Sequence, residues 1–175
     1  MTTPDRFQID PEGLAVLVRG LVGFAAVATA FSEALLAAAA CLVGAVWVDA
    51  ATGFLARRRG PKSPGTTALE LPVDAACFVF APIAFALAAT EVTPLRLAAL
   101  AVFFVAGVYR LARFSVEGLV SGRYTGLPVT YNGYLVPLLG TLGHYLPAWA
   151  GIIYPVGLLI IAALMATRRL AVPEV

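Results

Sequence analysis

The sequence predicts an all-α integral membrane protein, a six-helix transmembrane bundle with a cytosol-facing polar cavity. Three observations carry this expectation. Of 175 residues, 61% are hydrophobic and only 13% charged, with a mean hydropathy of +0.90, whereas a soluble domain is about half apolar and about a quarter charged. Polar punctuation divides the chain into six apolar runs. No strand-like alternation recurs, and lipid admits only helices or closed barrels. The same composition excludes a disordered or collagen-like chain. A net charge of +2 with no lipid-free basic face leaves nucleic acid out as a partner.

Residues 1–12 are polar and acidic and read as a cytosolic lead rather than a signal peptide. The membrane domain is expected over 13–167, with a cytosolic tail at 168–175. Its runs fall at 13–31, 33–56, 67–89, 94–114, 129–144 and 148–167, most of them near the roughly 20 residues a span requires. The fifth, YNGYLVPLLGTLG, is short and broken by Gly and Pro, which neighbouring helices can accommodate. Glu33, after Ser32, is expected to cap the second helix. Cys41 and Cys77 lie inside apolar runs and read as core residues without a redox role. Trp47, Trp149 and the tyrosines suit interface belts, and His144 falls in an outer loop far from the acids.

Basic residues set the orientation. With the N-terminus inside, the cytosolic segments hold ten: Arg6, Arg57, Arg58, Arg59, Lys62, Arg110, Arg113, Arg123, Arg168 and Arg169. The outer loops hold Arg96 alone, and Arg19 lies within the first span. Both termini are therefore expected in the cytosol.

Charges inside a span are costly and point to function. Thr52, Gly53 and Ala56 follow Asp49 at i+3, i+4 and i+7 and share its helix face, with Arg57 at the edge. Glu70 and Asp74 form an i, i+4 pair on the next helix, which a short loop makes antiparallel to the second. Three carboxylates so placed cannot all stay ionised without cations. A divalent metal is the natural counter-ion, and oxygen-only ligands favour Mg²⁺, Mn²⁺ or Ca²⁺ over zinc. Gly53 allows close approach of a ligand, and the adjacent arginines suit phosphate. An ion-pair network that only orients the helices is the competing reading.

These residues resemble the signature of the CDP-alcohol phosphatidyltransferases, Asp-x2-Asp-Gly-x2-Ala-Arg-x8-Gly-x3-Asp-x3-Asp. Asp49, Gly53, Ala56, Arg57 and Asp74 match it without a gap over 26 positions; Thr52, Thr66 and Glu70 stand where the family has Asp, Gly and Asp. FVFAP at 78–82, RLARFSV at 110–116, TGLPV at 125–129 and VGF at 22–24 are similar to the phosphatidylserine synthase branch, with Arg19 where that branch often has Asn.

The resemblance implies a homodimeric six-helix enzyme of phospholipid biosynthesis, in a bacterial or archaeal membrane. It would displace CMP from CDP-diacylglycerol, or a similar CDP-lipid, by a small alcohol acceptor. It further implies that Asp49, Thr52, Glu70 and Asp74 hold the metal, one or two Mg²⁺ or Mn²⁺ ions with Ca²⁺ as a substitute or inhibitor, and that Asp74 serves as catalytic base. Asp49, Gly53, Ala56, Arg57 and Thr66 would then contact nucleotide and phosphate. Arg110 and Arg113, at i and i+3, would bind a phosphate or an anionic acceptor. Thr130, Tyr131 and Asn132 stand where that branch usually has small residues; they bring new hydrogen-bonding groups to the cavity mouth and point to an acceptor other than serine. Thr52 and Glu70 also admit an impaired paralogue that binds nucleotide lipid or a partner synthase as a regulatory or assembly subunit. A small transporter would show paired internal repeats, and none is evident.

Overall fold

The computed structural model describes residues 9–59, 63–119 and 122–173. The expectations for Arg6 and Lys62 lie outside the described residues, as do those for the side chains of Arg59, His144 and Trp149. The chain is a bundle of helices: α1 (Pro11–Phe31), α2 (Leu35–Arg59), α3 (Pro64–Ala75), α4 (Ala81–Ala89), α5 (Pro94–Glu117), α6 (Asn132–Tyr145) and α7 (Pro147–Ala166). A π-helical turn, Ala76–Phe80, joins α3 and α4 into one rod. Four helices are long and apolar enough to cross a membrane: α1, α2, the α3–α4 rod and α5. All six apolar runs are helical, with ends within a few residues of expectation.

The helix starts follow capping chemistry. Asp10 and Ser63 precede Pro11 and Pro64, and Thr93 precedes Pro94; each side chain accepts a bond from a first-turn N–H, and each proline needs none. α1 therefore begins at Pro11, inside what reads as the polar lead. The expected cap of α2 is different. The Ser32 hydroxyl donates back to the Ala28 carbonyl and closes α1, while Glu33 takes a left-handed turn at φ 59°. With so tight a link between α1 and α2, Ser32 is used up ending the first helix.

The core gathers where small residues let helices approach. Gly107 on α5 faces the π turn so closely that a Cβ would lie 2.9 Å from Val79 Cγ2. Cys77, Phe78 and Val79 are buried there, with Phe103, Tyr154 and Met165 in the same cluster. Both cysteines are free, and Cys77 donates its S–H to the Arg19 carbonyl at 3.3 Å. Trp47 is exposed on α2, facing what would be lipid. Arg96, the outer-loop arginine of the sequence reading, is buried instead, its guanidinium over the Tyr154 ring and hydrogen-bonded to the Glu91 carbonyl.

Among the described residues, one pair of short strands departs from the helical pattern. β1 (Arg123–Thr125) pairs antiparallel with β2 (Ala171–Pro173), Tyr124 opposite Val172. Three-residue strands are too short to show alternation, so the segment after α7 reads in sequence only as a tail. In the structure it folds back over the loop that precedes α6.

Candidate functional site

The site is built where the C-terminal end of α2, the start of the α3–α4 rod, the C-terminal half of α5 and the turn before α6 meet. α1 lies against both α2 and the rod. Its buried positions, Val16, Arg19, Gly23, Ala26 and Ala30, recur every three or four residues, so Arg19 must point into the bundle. There it bridges two acids. Nη1 donates to Asp49 Oδ1, and Nη2 lies 2.6 Å from Asp74 Oδ1. The guanidinium is 3% exposed and stands over the Phe78 ring, 5.8 Å from its centroid. The second oxygen of Asp49 accepts a bond from Thr130 Oγ1 at 3.2 Å.

Beside this cluster is a cavity of about 720 Å³, within the range of ligand pockets. The sequence-derived residues Asp49, Thr52, Gly53, Ala56, Arg57, Glu70, Asp74, Arg110 and Tyr131 all line it. A Cβ on Gly53 would meet nothing within 4 Å, so the glycine leaves a bare patch of helix facing the space. The Arg110 guanidinium packs 5.3 Å from the Phe114 ring and 5.9 Å from the Tyr124 ring. Three carboxylates, Asp49, Glu70 and Asp74, are balanced by three guanidiniums, Arg19, Arg57 and Arg110. Val172 and Pro173 of β2 complete the wall.

Three sequence-derived site residues lie elsewhere, each for a local reason. Thr66 is fully buried, and its hydroxyl donates to Asp10 Oδ1 at 2.8 Å. Asp10 also accepts from Gly13 N and Ser63 N, so one carboxylate clasps the starts of α1 and α3. These bonds hold the Asp10 carboxyl well below the usual aspartate range, the Ser63 N–H contributing most. Asn132 is also fully buried. Pro82 lacks the N–H that would have bonded the Phe78 carbonyl four residues back, and Asn132 Nδ2 supplies that bond at 2.8 Å. Arg113 caps α7: Nη1 donates to the Ala166 carbonyl at 3.0 Å, and Nη2 to Thr125 and Met165 carbonyls at 2.5 and 3.2 Å. Arg110 and Arg113 thus share a helix stripe but not a task.

The metal expectation meets a specific obstacle. Both Asp49 oxygens are engaged by protein groups, Asp74 pairs with Arg19, and the Thr52 hydroxyl donates to the Val48 carbonyl at 2.7 Å. Among the described residues, no three His, Cys, Asp or Glu side chains form a group that could hold a metal ion. As placed, Asp49, Asp74 and Thr52, three of the four expected ligands, are organised around a guanidinium and hydroxyl bonds and do not fit a divalent metal, while Glu70 lines the cavity beside them.

Sequence reasoning recognised Arg19 only as a charge within a span and as a departure from the family pattern. The available signal was its cost: a lone intramembrane arginine needs an acid, and Asp49 and Asp74 are the acids on neighbouring helices. Comparison of the sequence with known protein families and with characterised proteins yields no match.

Proposed function

We propose that the chain binds a CDP-linked lipid in this cavity and transfers its phosphatidyl group to a small alcohol, as a CDP-alcohol phosphatidyltransferase most like the phosphatidylserine synthases. The observation that carries the reading is the convergence of Asp49, Gly53, Ala56, Arg57, Glu70 and Asp74 on one cavity with Arg110. Nothing but the gapless spacing of those residues linked most of them in the sequence.

In this reading Arg57 and Arg110 meet the pyrophosphate, for which guanidiniums are suited by charge and fork geometry. The acceptor oxygen forms a bond to the lipid-side phosphorus while the phosphorus–oxygen bond to CMP breaks. Asp74, at the cavity wall, takes the hydroxyl proton. The arginines offset the charge gathering on the transferring phosphoryl group and on CMP. Six spans complete the proposed topology. α7, with 20 residues, reaches about 30 Å at roughly 1.5 Å per residue, and α6 is extended by the 3₁₀ turn Val129–Tyr131. The cavity then opens to the cytosol of a bacterial or archaeal cell, with both termini on that side and the enzyme a homodimer.

The test is CMP release by purified protein given CDP-diacylglycerol and a panel of alcohols, with and without Mg²⁺ or Mn²⁺. Turnover that Asp74→Asn abolishes supports the reading. No release with any acceptor, where a control synthase works, refutes the catalytic part. One observation favours the second reading, a non-catalytic nucleotide-lipid binder that regulates or assembles with a synthase: Arg19 already engages the acid proposed as base. That reading requires CDP-lipid binding without CMP release, unaffected by Asp74→Asn.

A further inference from the structure

We propose that Arg19 is the built-in counter-cation of the cavity, standing where a divalent metal would otherwise bridge α2 and the α3–α4 rod. The cavity would then hold its phosphate-bearing ligand without metal. Four observations converge on this. The guanidinium is 3% exposed and contacts one carboxylate on each of the two helices. Asp49 has its remaining oxygen bonded to Thr130. The acids and arginines lining the cavity balance three to three. Behind Arg19 lies apolar core, with the Phe78 ring against it and Cys77 bonded to its carbonyl.

A metal entering between Asp49 and Asp74 would have to displace this guanidinium from both carboxylates while its side chain stays 3% exposed in the cavity wall against the Phe78 ring. Stranding a charge there is strongly unfavourable. Mg²⁺ adds a demand for near-octahedral oxygen geometry at about 2.0–2.1 Å, which a carboxylate held by an arginine and a threonine does not meet. A guanidinium presents fixed N–H donors, and these suit two carboxylates on facing helices. The substitution also explains a pattern in the chain. The second motif acid is replaced by Thr52, which is the change expected where fewer negative charges need compensating.

The inference concerns the cation and not the identity of the ligand, so its main test uses metal alone. Mn²⁺ is titrated into detergent-solubilised protein and followed by electron paramagnetic resonance. The wild type is expected to leave Mn²⁺ free at stoichiometric concentrations. Arg19→Asn is expected to bind it, with the signal lost again in Arg19→Asn/Asp49→Asn. Mn²⁺ bound by the wild type and released by Asp49→Asn overturns the proposal, as does a folded Arg19→Asn that gains no site. Should Arg19→Asn not fold, the wild-type titration decides. Retention of folding in Arg19→Lys with no Mn²⁺ bound then supports a cationic requirement. A second arm measures CDP binding in EDTA and in Mg²⁺. Equal affinity supports metal independence, and strict dependence on Mg²⁺ overturns it. Failure to bind CDP in either buffer counts against the CDP-lipid reading alone, and the Mn²⁺ titration still decides for Arg19.

Discussion

Replacing Arg113 with alanine separates two roles that its sequence position leaves confounded, phosphate binding and structural capping. The Arg113 fork donates to the carbonyls of Ala166, Thr125 and Met165 at 3.0, 2.5 and 3.2 Å. It thereby ties the end of α5 to the end of α7 and to the strand before α6. A hydrogen bond to a charged group contributes about 1.5–3 kcal/mol net. The three share one side chain and sit at a helix end that water can reach after truncation, so the sum is an upper bound. Arg113→Ala is expected to cost about 3 kcal/mol, and Arg113→Lys, with a compact ammonium that recovers about one bond, about 1.5 kcal/mol. The assay is reversible unfolding in mixed micelles with increasing dodecyl sulfate, read by tryptophan fluorescence. CDP binding by the folded fraction should match wild type. A loss under about 1 kcal/mol, or full recovery by lysine, would refute the capping argument and return Arg113 to simple charge.

Two further outcomes follow from the same geometry. Gly126 has φ 79°, and a Cβ there would lie 2.6 Å from the Thr167 carbonyl and 2.8 Å from that of Met165. Gly126→Ala should therefore destabilise by about 2 kcal/mol or more, combining left-handed strain with the clash, measured in the same micelle titration. Asp10, whose carboxyl is held below its ordinary value, supplies stability that is full above 3.8 and lost as pH falls toward the folded value. Thermal melts of wild type and Asp10→Asn across acidic pH should differ near neutrality and converge in strong acid. A difference independent of pH would remove the carboxylate from the clasp.

The helices were legible because lipid simplifies the code: the polar breaks at Ser32, Ser63 and Thr93 each mark an end, and the polar residues left inside the spans mark the site. Most of the cavity was legible for a related reason. Asp49, Gly53, Ala56 and Arg57 lie within about two turns of one helix, so spacing alone puts them together. What stayed hidden depends on contacts between distant segments. Arg19 acquires its meaning only when α1 packs against both α2 and the α3–α4 rod. Asn132 does so only once Pro82 has orphaned the Phe78 carbonyl. Thr66 sits in motif register, yet Asp10, 56 residues earlier, claims its hydroxyl. Matching a spacing pattern locates a residue along the helix; it does not say which neighbour reaches that residue first.

The widened turn at Ala76–Phe80 makes the α3–α4 rod count differently from a uniform helix. A π turn takes in about one residue more than an α turn, which resets helical phase by roughly 100°. Glu70 and Asp74 can therefore face the cavity while Phe78 and Pro82, one and two four-residue intervals further along, lie in the core, without one continuous stripe having to serve both. The turn acts as a clutch between a polar end and an apolar end. Natural variation in this stretch should tolerate exchanges of side chain far better than the gain or loss of a single residue, because only the latter would turn the acids away from the cavity.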